Sequence, residues 1–312
     1  MKKLALSLAI GAALPTFASA KTVEIELPEF YGKVNVSVQN TQEGDDSISE
    51  VSSNASRLGV RGKIELNHGL QGIYQAEYQI AVDDGDNSKK NDEGQTFSQR
   101  NIFAGVKSSY GQVIVGMFDS PLKKAQKKID LFNDLEGDIK SAISNSENRT
   151  KDTVQYNTPS IAGLVATVAH IASEDETVND GTSSSLTYNR DAIYAAVAYD
   201  TDVEKDGIDV TRIVAQYSIA GVTLGGLWET EAENGDNKDG WVYSAAYDIT
   251  ASIRLKAQYG ESDIVKDNAE TYSLGADYKV GKGAKLYAFL TDEEFGDDSS
   301  KEYYGVGLEY KF

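Results

Sequence analysis

The 312-residue sequence contains no cysteine, only four prolines and two histidines, and no second run of apolar residues long enough to cross a membrane as a helix once the N-terminal segment is set aside. Each absence excludes a class. Without cysteine there is no disulfide framework, no thiolate metal site and no thiol nucleophile. Of the prolines, Pro15 lies in the N-terminal segment; Pro28, Pro121 and Pro159 stand at the edges of patterned segments, where strand proteins tolerate them. The histidines, His68 in a short connection and His170 near a strand end and facing outward, leave no partner set for a Ser-His-acid or histidine–metal centre, so no enzyme activity is expected. A basic surplus is missing too: the formal net charge is −19, which excludes nucleic acid as a partner.

What is present begins with an address. Lys2 and Lys3 precede the apolar run LALSLAIGAAL, and Ala18-Ser19-Ala20 forms a small-x-small cleavage site. Residues 1–20 therefore read as a cleaved secretory signal, with residues 21–312 as one mature domain. The mature chain keeps 28 basic against 49 acidic residues, a net charge of −21.

From Phe30 onward apolar and polar residues alternate. Phe30, Gly32, Val34, Val36 and Val38 form one face; Tyr31, Lys33, Asn35, Ser37 and Gln39 form the other. The rhythm continues through segments beginning near residues 55, 70, 96, 111, 150, 161, 182, 191, 208, 221, 240, 251, 269, 284 and 302, which with the first makes sixteen strands. Long acidic connections such as TQEGDDSISE, DDGDNSKKNDEGQ and AENGDNKD alternate with short ones such as NHG, SSYG and GKG, and the even strand count places both termini on the same side. Tyr188, Tyr199, Tyr217, Trp228, Trp241, Tyr247, Tyr259, Tyr278 and Tyr310 gather where strands meet connections, as membrane interfaces favour. A soluble sandwich would need a face rich in Leu, Ile, Val and Phe. Here many such positions hold Ala, Gly or Tyr, as in Tyr243-Ala245-Tyr247, so the pattern favours an all-β, sixteen-stranded antiparallel transmembrane barrel.

The chain ends on EYYGVGLEYKF, with Tyr304, Val306, Leu308, Tyr310 and Phe312 on one face. A last strand that stays patterned to its final residue is one that pairs with the first and leaves no open edge in lipid. This ending resembles that of outer-membrane proteins, in which the final aromatic and alternating apolar residues serve as the assembly signal. The likeness implies periplasmic chaperones and the barrel-assembly machinery as partners, with outer-membrane lipid and lipopolysaccharide around the finished barrel.

One stretch, residues 118–150, does not alternate. Leu122, Ala125, Ile129, Leu131 and Leu135 give it apolar anchors at partly helical spacing, so it is expected to fold against something.

SRLGVRG (56–62), Phe103-Ala104-Gly105-Val106, Tyr110-Gly111-Gln112-Val113 with Gly116 and Pro121, and DTVQYNTPS (152–160) with Gly163 together resemble the Gram-negative general porins over essentially the whole mature chain. The resemblance implies a homotrimeric barrel whose third loop folds inward to narrow a water-filled pore. It departs at Met117, where the family commonly carries a basic residue facing the constriction. Alternation puts Arg57, Arg61 and Lys63 on the inner face of the second strand and Arg254 and Lys256 on that of the thirteenth; Arg100 in the fourth is counted with them, although the alternation leaves its face ambiguous. The third loop would set Asp130, Asp134, Glu136 and Asp138 opposite them. Overall acidity and Met117 predict a mild cation preference for passive diffusion of small hydrophilic solutes, with a substrate-selective channel for a sugar or small anion as the alternative. Asp84, Asp86 and Ser88 begin like a calcium loop, but Lys89 stands where the turn glycine belongs, so no metal or cofactor is expected.

Overall fold

The computed structural model describes residues 27–85, 96–296 and 299–312. The signal segment with its cleavage site, and the Asp86–Lys89 part of the acidic connection, lie outside the described residues. The described chain forms one closed antiparallel sheet. Its strands are β1 (Glu29–Glu43), β2 (Asp46–Ser53), β3 (Arg57–Glu65), β4 (Gln71–Ile80), β5 (Phe97–Ser108), β6 (Gly111–Asp119), β7 (Arg149–Asn157), β8 (Leu164–Ile171) and β9 (Gly181–Arg190). They continue with β10 (Ile193–Thr201), β11 (Ile208–Ile219), β12 (Val222–Glu233), β13 (Asp236–Asp248), β14 (Ile253–Ser262), β15 (Ala269–Gly281), β16 (Ala284–Glu294) and β17 (Ser300–Lys311). β2 and β3 are halves of a single stave. β1 pairs through Val36–Glu43 with β2 and through Glu29–Lys33 with β3, and the break between them is a kink at Ala55 (φ 49°). The barrel therefore has sixteen staves, as the alternation predicts.

Two acidic stretches expected to be loose connections are strand. TQEGDDSISE continues β1 and forms β2 around a turn at Gly44-Asp45, and AENGDNKD is the tip of the β12–β13 hairpin around Asn234-Gly235. Both Asn234 (φ 54°) and Gly235 (φ 93°) have positive φ, the conformation a tight hairpin turn demands. Polar residues on both faces hid the strands, because these hairpins stand in water where no apolar face is required.

Closure occurs at the end of the chain. β17 runs antiparallel to β1 from Gln42↔Glu302 to Lys33↔Lys311. Gly32 and Phe312 then exchange backbone hydrogen bonds of 3.0 and 3.1 Å, so the terminal residue is the last rung of the seam. Gly32 has no side chain because the Phe312 ring occupies that space: a Cβ there would lie 2.5 Å from the ring.

The outward face exposes Val113, Val115, Val154, Val168, Leu186, Val197, Ile213, Leu224, Leu255, Leu274, Leu290 and Val306, an apolar band that water would not tolerate but lipid does. Aromatic girdles bound it. Tyr156, Tyr217, Tyr247, Tyr278, Tyr310 and Phe312 lie toward the short turns, and Trp228, Trp241, Tyr243, Tyr259, Tyr272 and Tyr304 toward the long loops.

The non-alternating stretch folds into the barrel. It opens with a short helix, α1 (Pro121–Ala125), capped by the Ser120 hydroxyl, which accepts from the Lys123 amide at 3.1 Å. A second short helix is α2 (Ile139–Ala142), capped by Asp138. Leu122, Ala125, Ile129, Phe132, Ile139 and Ile143 are all at most 2% exposed, which makes this loop the apolar core of the molecule. Their partners are inward residues of β10 and β11 (Tyr194, Ala196, Ala198, Ile208, Val210, Val214) and of β16 (Tyr287, Phe289). Three wall glycines act as sockets. A Cβ at Gly225 would sit 2.8 Å from Ile129, one at Gly260 2.6 Å from Ile143, and one at Gly275 3.0 Å from Phe132.

Candidate functional site

With the loop pressed on β9–β16, the remaining lumen runs along β3–β8 and past the loop's tip. There Asp134 accepts from both Lys33 Nζ (2.7 Å) and Arg57 Nη2 (2.8 Å). Burial works to raise the Asp134 pKa, but these two cations hold it below the ordinary carboxylate value. Across the gap Glu77 is shared: Arg100 Nε donates to it at 3.0 Å and the Tyr31 hydroxyl at 3.0 Å, while Arg100 Nη1 donates to Gln79 at 2.7 Å. At the loop's root Asp119 bridges Arg149 (2.9 Å) and Lys123 (3.5 Å). Arg57, Arg100 and Lys33 from the wall thus meet one carboxylate from the loop and one from the wall, at one level of the lumen.

The expected site residues divide accordingly. Arg57, Arg100 and Asp134 come together. Arg100 was ambiguous in the alternation because a bulge lies there: Ala76 pairs with Ile102 but Tyr78 pairs with Gln99, so Arg100 and Asn101 together oppose Glu77 and the parity flips. Glu136 lies near the same level, accepting from Gln39 at 2.7 Å. Arg61 and Lys63 keep the inner face but sit exposed toward the short-turn rim, where Arg61 forms a double hydrogen bond with Glu29 (3.0 and 2.7 Å). Arg254 does the same with Asp248 at 2.7 Å near its own short turn.

The other three are parts of the loop's scaffolding. Asp130 is buried and accepts from the Phe132 and Ile139 amides at 2.9 and 3.2 Å; burial, with Asp138 nearby, pushes its pKa well above the ordinary carboxylate value. Asp138 caps α2 and also accepts from the Asp134 amide at 2.9 Å, fixing the tip. Lys256 is a strut: it donates to the Leu131 carbonyl at 3.1 Å, pairs with Asp277 at 3.2 Å and lies over the Phe132 ring. Met117 leaves no gap in the basic wall. It pairs in register with Ile102, on the outward set shared with Val113 and Val115.

Sequence reasoning missed the strongest anchor. Arg212 of β11 is fully buried and donates to Glu229 (2.5 Å), Glu147 (2.7 Å), the Ser144 hydroxyl (3.0 Å) and the Leu122 carbonyl (3.3 Å), tying both ends of the loop to the wall. Its signal was available: β10 is largely apolar on both faces and β11 sets Ile208, Val210 and Val214 on the same face as Arg212, so that inner face had to be covered. The histidines stay apart, His170 outward and 3.5 Å from Asp180, and His68 in the turn after β3.

A family model described as Gram-negative porin matches residues 5–298. The chain belongs to the Gram-negative porins. Similar curated proteins include the major outer membrane protein P.IB of Neisseria gonorrhoeae, 24% identical over all of this chain and 90% of the relative. That of Neisseria meningitidis serogroup B is 27% identical over the whole of both chains. Among solved structures, the anion-selective porin from Comamonas acidovorans superposes with a TM-score of 0.77 at 18% identity, over 92% of this chain and 99% of that one. Salmonella typhi OmpF in complex with daunomycin gives 0.74 at 17% identity, over 91% and 97%. This porin is accordingly an outer-membrane protein, and its inward third loop and sixteen-stave barrel are those its family resemblance implies.

Proposed function

We propose that this porin is a passive diffusion channel for ions and small hydrophilic solutes, and that its narrowest level leans toward anions. The observation that carries the second part is the charge inventory along the open lumen. Lys33, Arg57, Arg100, Lys123 and Arg149 face Asp134, Glu136, Glu77 and Asp119, five positive groups against four negative ones. Lys124 and Lys127 of the loop add to it from the side. Total charge predicts the opposite sign, but most of the acid lies in rim connections in bulk salt. Charges there are screened within about 8–10 Å, whereas those at a constriction act directly on the passing ion. The remaining inner cations Arg61, Lys63 and Arg254 are assigned to the vestibule on the short-turn side.

Cleavage after Ala20, delivery by periplasmic chaperones and the assembly machinery through the Tyr304–Phe312 ending, and trimers embedded in lipid and lipopolysaccharide complete the reading. A trimer form is named for the similar Vibrio cholerae OmpT.

The test is the zero-current potential of refolded protein in a planar bilayer under a potassium chloride gradient. Stepwise conductance with an anion-selective potential is expected. A cation-selective potential would overturn the polarity, and a folded barrel that passes no current would overturn the pore.

A further inference from the structure

Beneath the third loop, on its short-turn side, lies a cavity of about 380 Å³ bounded by α1 and the residues after it on one side and by the inward faces of β7 to β10 on the other. Lys124 and Lys127 project from the loop; the wall opposite is amide and hydroxyl, with Gln155, Asn157, Thr187 and Asn189. No carboxylate lines it among the described residues.

The two lysines differ from the other lumen cations. Lys33, Arg57, Arg100, Arg149, Arg212 and Lys256 all have a carboxylate partner. Lys124 and Lys127 form no ion pair among the described residues, and both are exposed to the lumen water. They are nevertheless held in place. Lys127 has a positive φ of 53°, which ends the helical path and turns the chain, and its Nζ donates to Asn189 at 3.0 Å while lying 4.4 Å from the centre of the Tyr194 ring. The Tyr194 hydroxyl in turn donates to the Ala125 carbonyl at 2.7 Å. Lys124 rests 5.1 Å over Phe118.

We propose that this cavity is a binding subsite for a small hydroxylated organic anion, a sugar carrying a phosphate or carboxylate group. The two unpaired ammonium groups take the anionic group, and the amide and hydroxyl wall takes the hydroxyls. Size selects this class. The volume falls at the low end of the roughly 300–1,000 Å³ common for organic ligands, more than a bare oxyanion fills. The site rests on the reading of the lumen as a solute path, since a solute reaches it only through the pore mouth.

The test is calorimetric titration of the refolded, detergent-solubilised barrel with glucose 6-phosphate, gluconate, glucose and inorganic phosphate. The phosphate ester, the sugar acid or both should bind saturably, and more tightly than either glucose or inorganic phosphate. The K124Q/K127Q variant, checked for native heat-modifiable migration, should weaken that binding at least tenfold. K140Q, which removes a loop lysine outside the cavity, should not. Absence of saturable binding by both anions, equal affinity in K124Q/K127Q, or inorganic phosphate binding as tightly as the sugar anions would each overturn the proposal. Because the titration uses no current, a barrel that binds but does not conduct would defeat the pore reading and leave the subsite standing. One that conducts without binding would do the reverse.

Discussion

Replacing Arg212 with alanine should release the third loop without unfolding the barrel. The side chain is fully buried, and its loss removes four hydrogen bonds and takes the guanidinium away from Glu147 and Glu229, 3% and 0% exposed at their side chains, leaving Lys123 as the cation beside Glu147. Breaking one side of a buried ion pair costs about 3–5 kcal/mol. At ~1.4 kcal/mol per factor of ten, that lowers the ratio of docked to released loop by roughly two to three and a half powers of ten. The backbone ladder of the barrel is untouched, because Arg212 pairs in register with Ala198 on one side and Glu229 on the other through main-chain bonds. Single-channel recording should show frequent current fluctuations, and liposome swelling should admit larger oligosaccharides than the wild type does. The triple variant R212M/E147Q/E229Q, which removes the charges together, should lie closer to the wild type, since it leaves no buried charge without its counterion. If R212A folds and is as quiet and as selective by size as the wild type, or if the triple variant is worse than R212A, Arg212 is not the anchor described.

Gly260→Val should evict the Ile143 side chain from its socket, at about 1–3 kcal/mol for overpacking, and lower the thermal midpoint of loop-dependent proteolytic protection; unchanged protection would count against the glycine sockets. The tip bridge has a defined pH window. With its pKa held below the ordinary value of 3.8, Asp134 contributes fully above that value and loses its contribution only as pH falls through the lowered one. The excess current noise of Asp134→Asn over the wild type should therefore be present at pH 7, stay constant down to about pH 4 and close below it, whatever other carboxyls of the loop do in between.

Much of the barrel was legible because lipid outside and water inside impose a period of two on every stave, and a terminus that stays in that period is a terminus that pairs. The same rule fails where its physical cause is absent. β2 and the β12–β13 tip rise into water on both faces, so their polar residues look like loop. At Arg100 a bulge adds one residue to the count, and counting alone cannot decide which neighbour faces inward. The third loop was visible as a break in the rhythm with apolar anchors, but the roles of its acids were not. Asp130, Asp134 and Asp138 are the same residue type within nine positions, and only the folded loop decides which caps amides and which meets Lys33 and Arg57. Lys124 and Lys127 read as an ordinary basic run, KKAQKK, until the wall opposite them is seen to contain no acid.

The bond between Gly32 and Phe312 also sets the order of events in assembly. Every other stave in the sheet can form as a hairpin with its neighbour in sequence, at small entropic cost, whereas this seam joins residues 280 positions apart and so carries the largest contact separation in the fold. Until β17 reaches β1, two raw edges remain to be shielded from lipid and from other chains. The ten paired positions of β1 and β17 are therefore the lock of the ring, the one joint that no neighbour in sequence can supply.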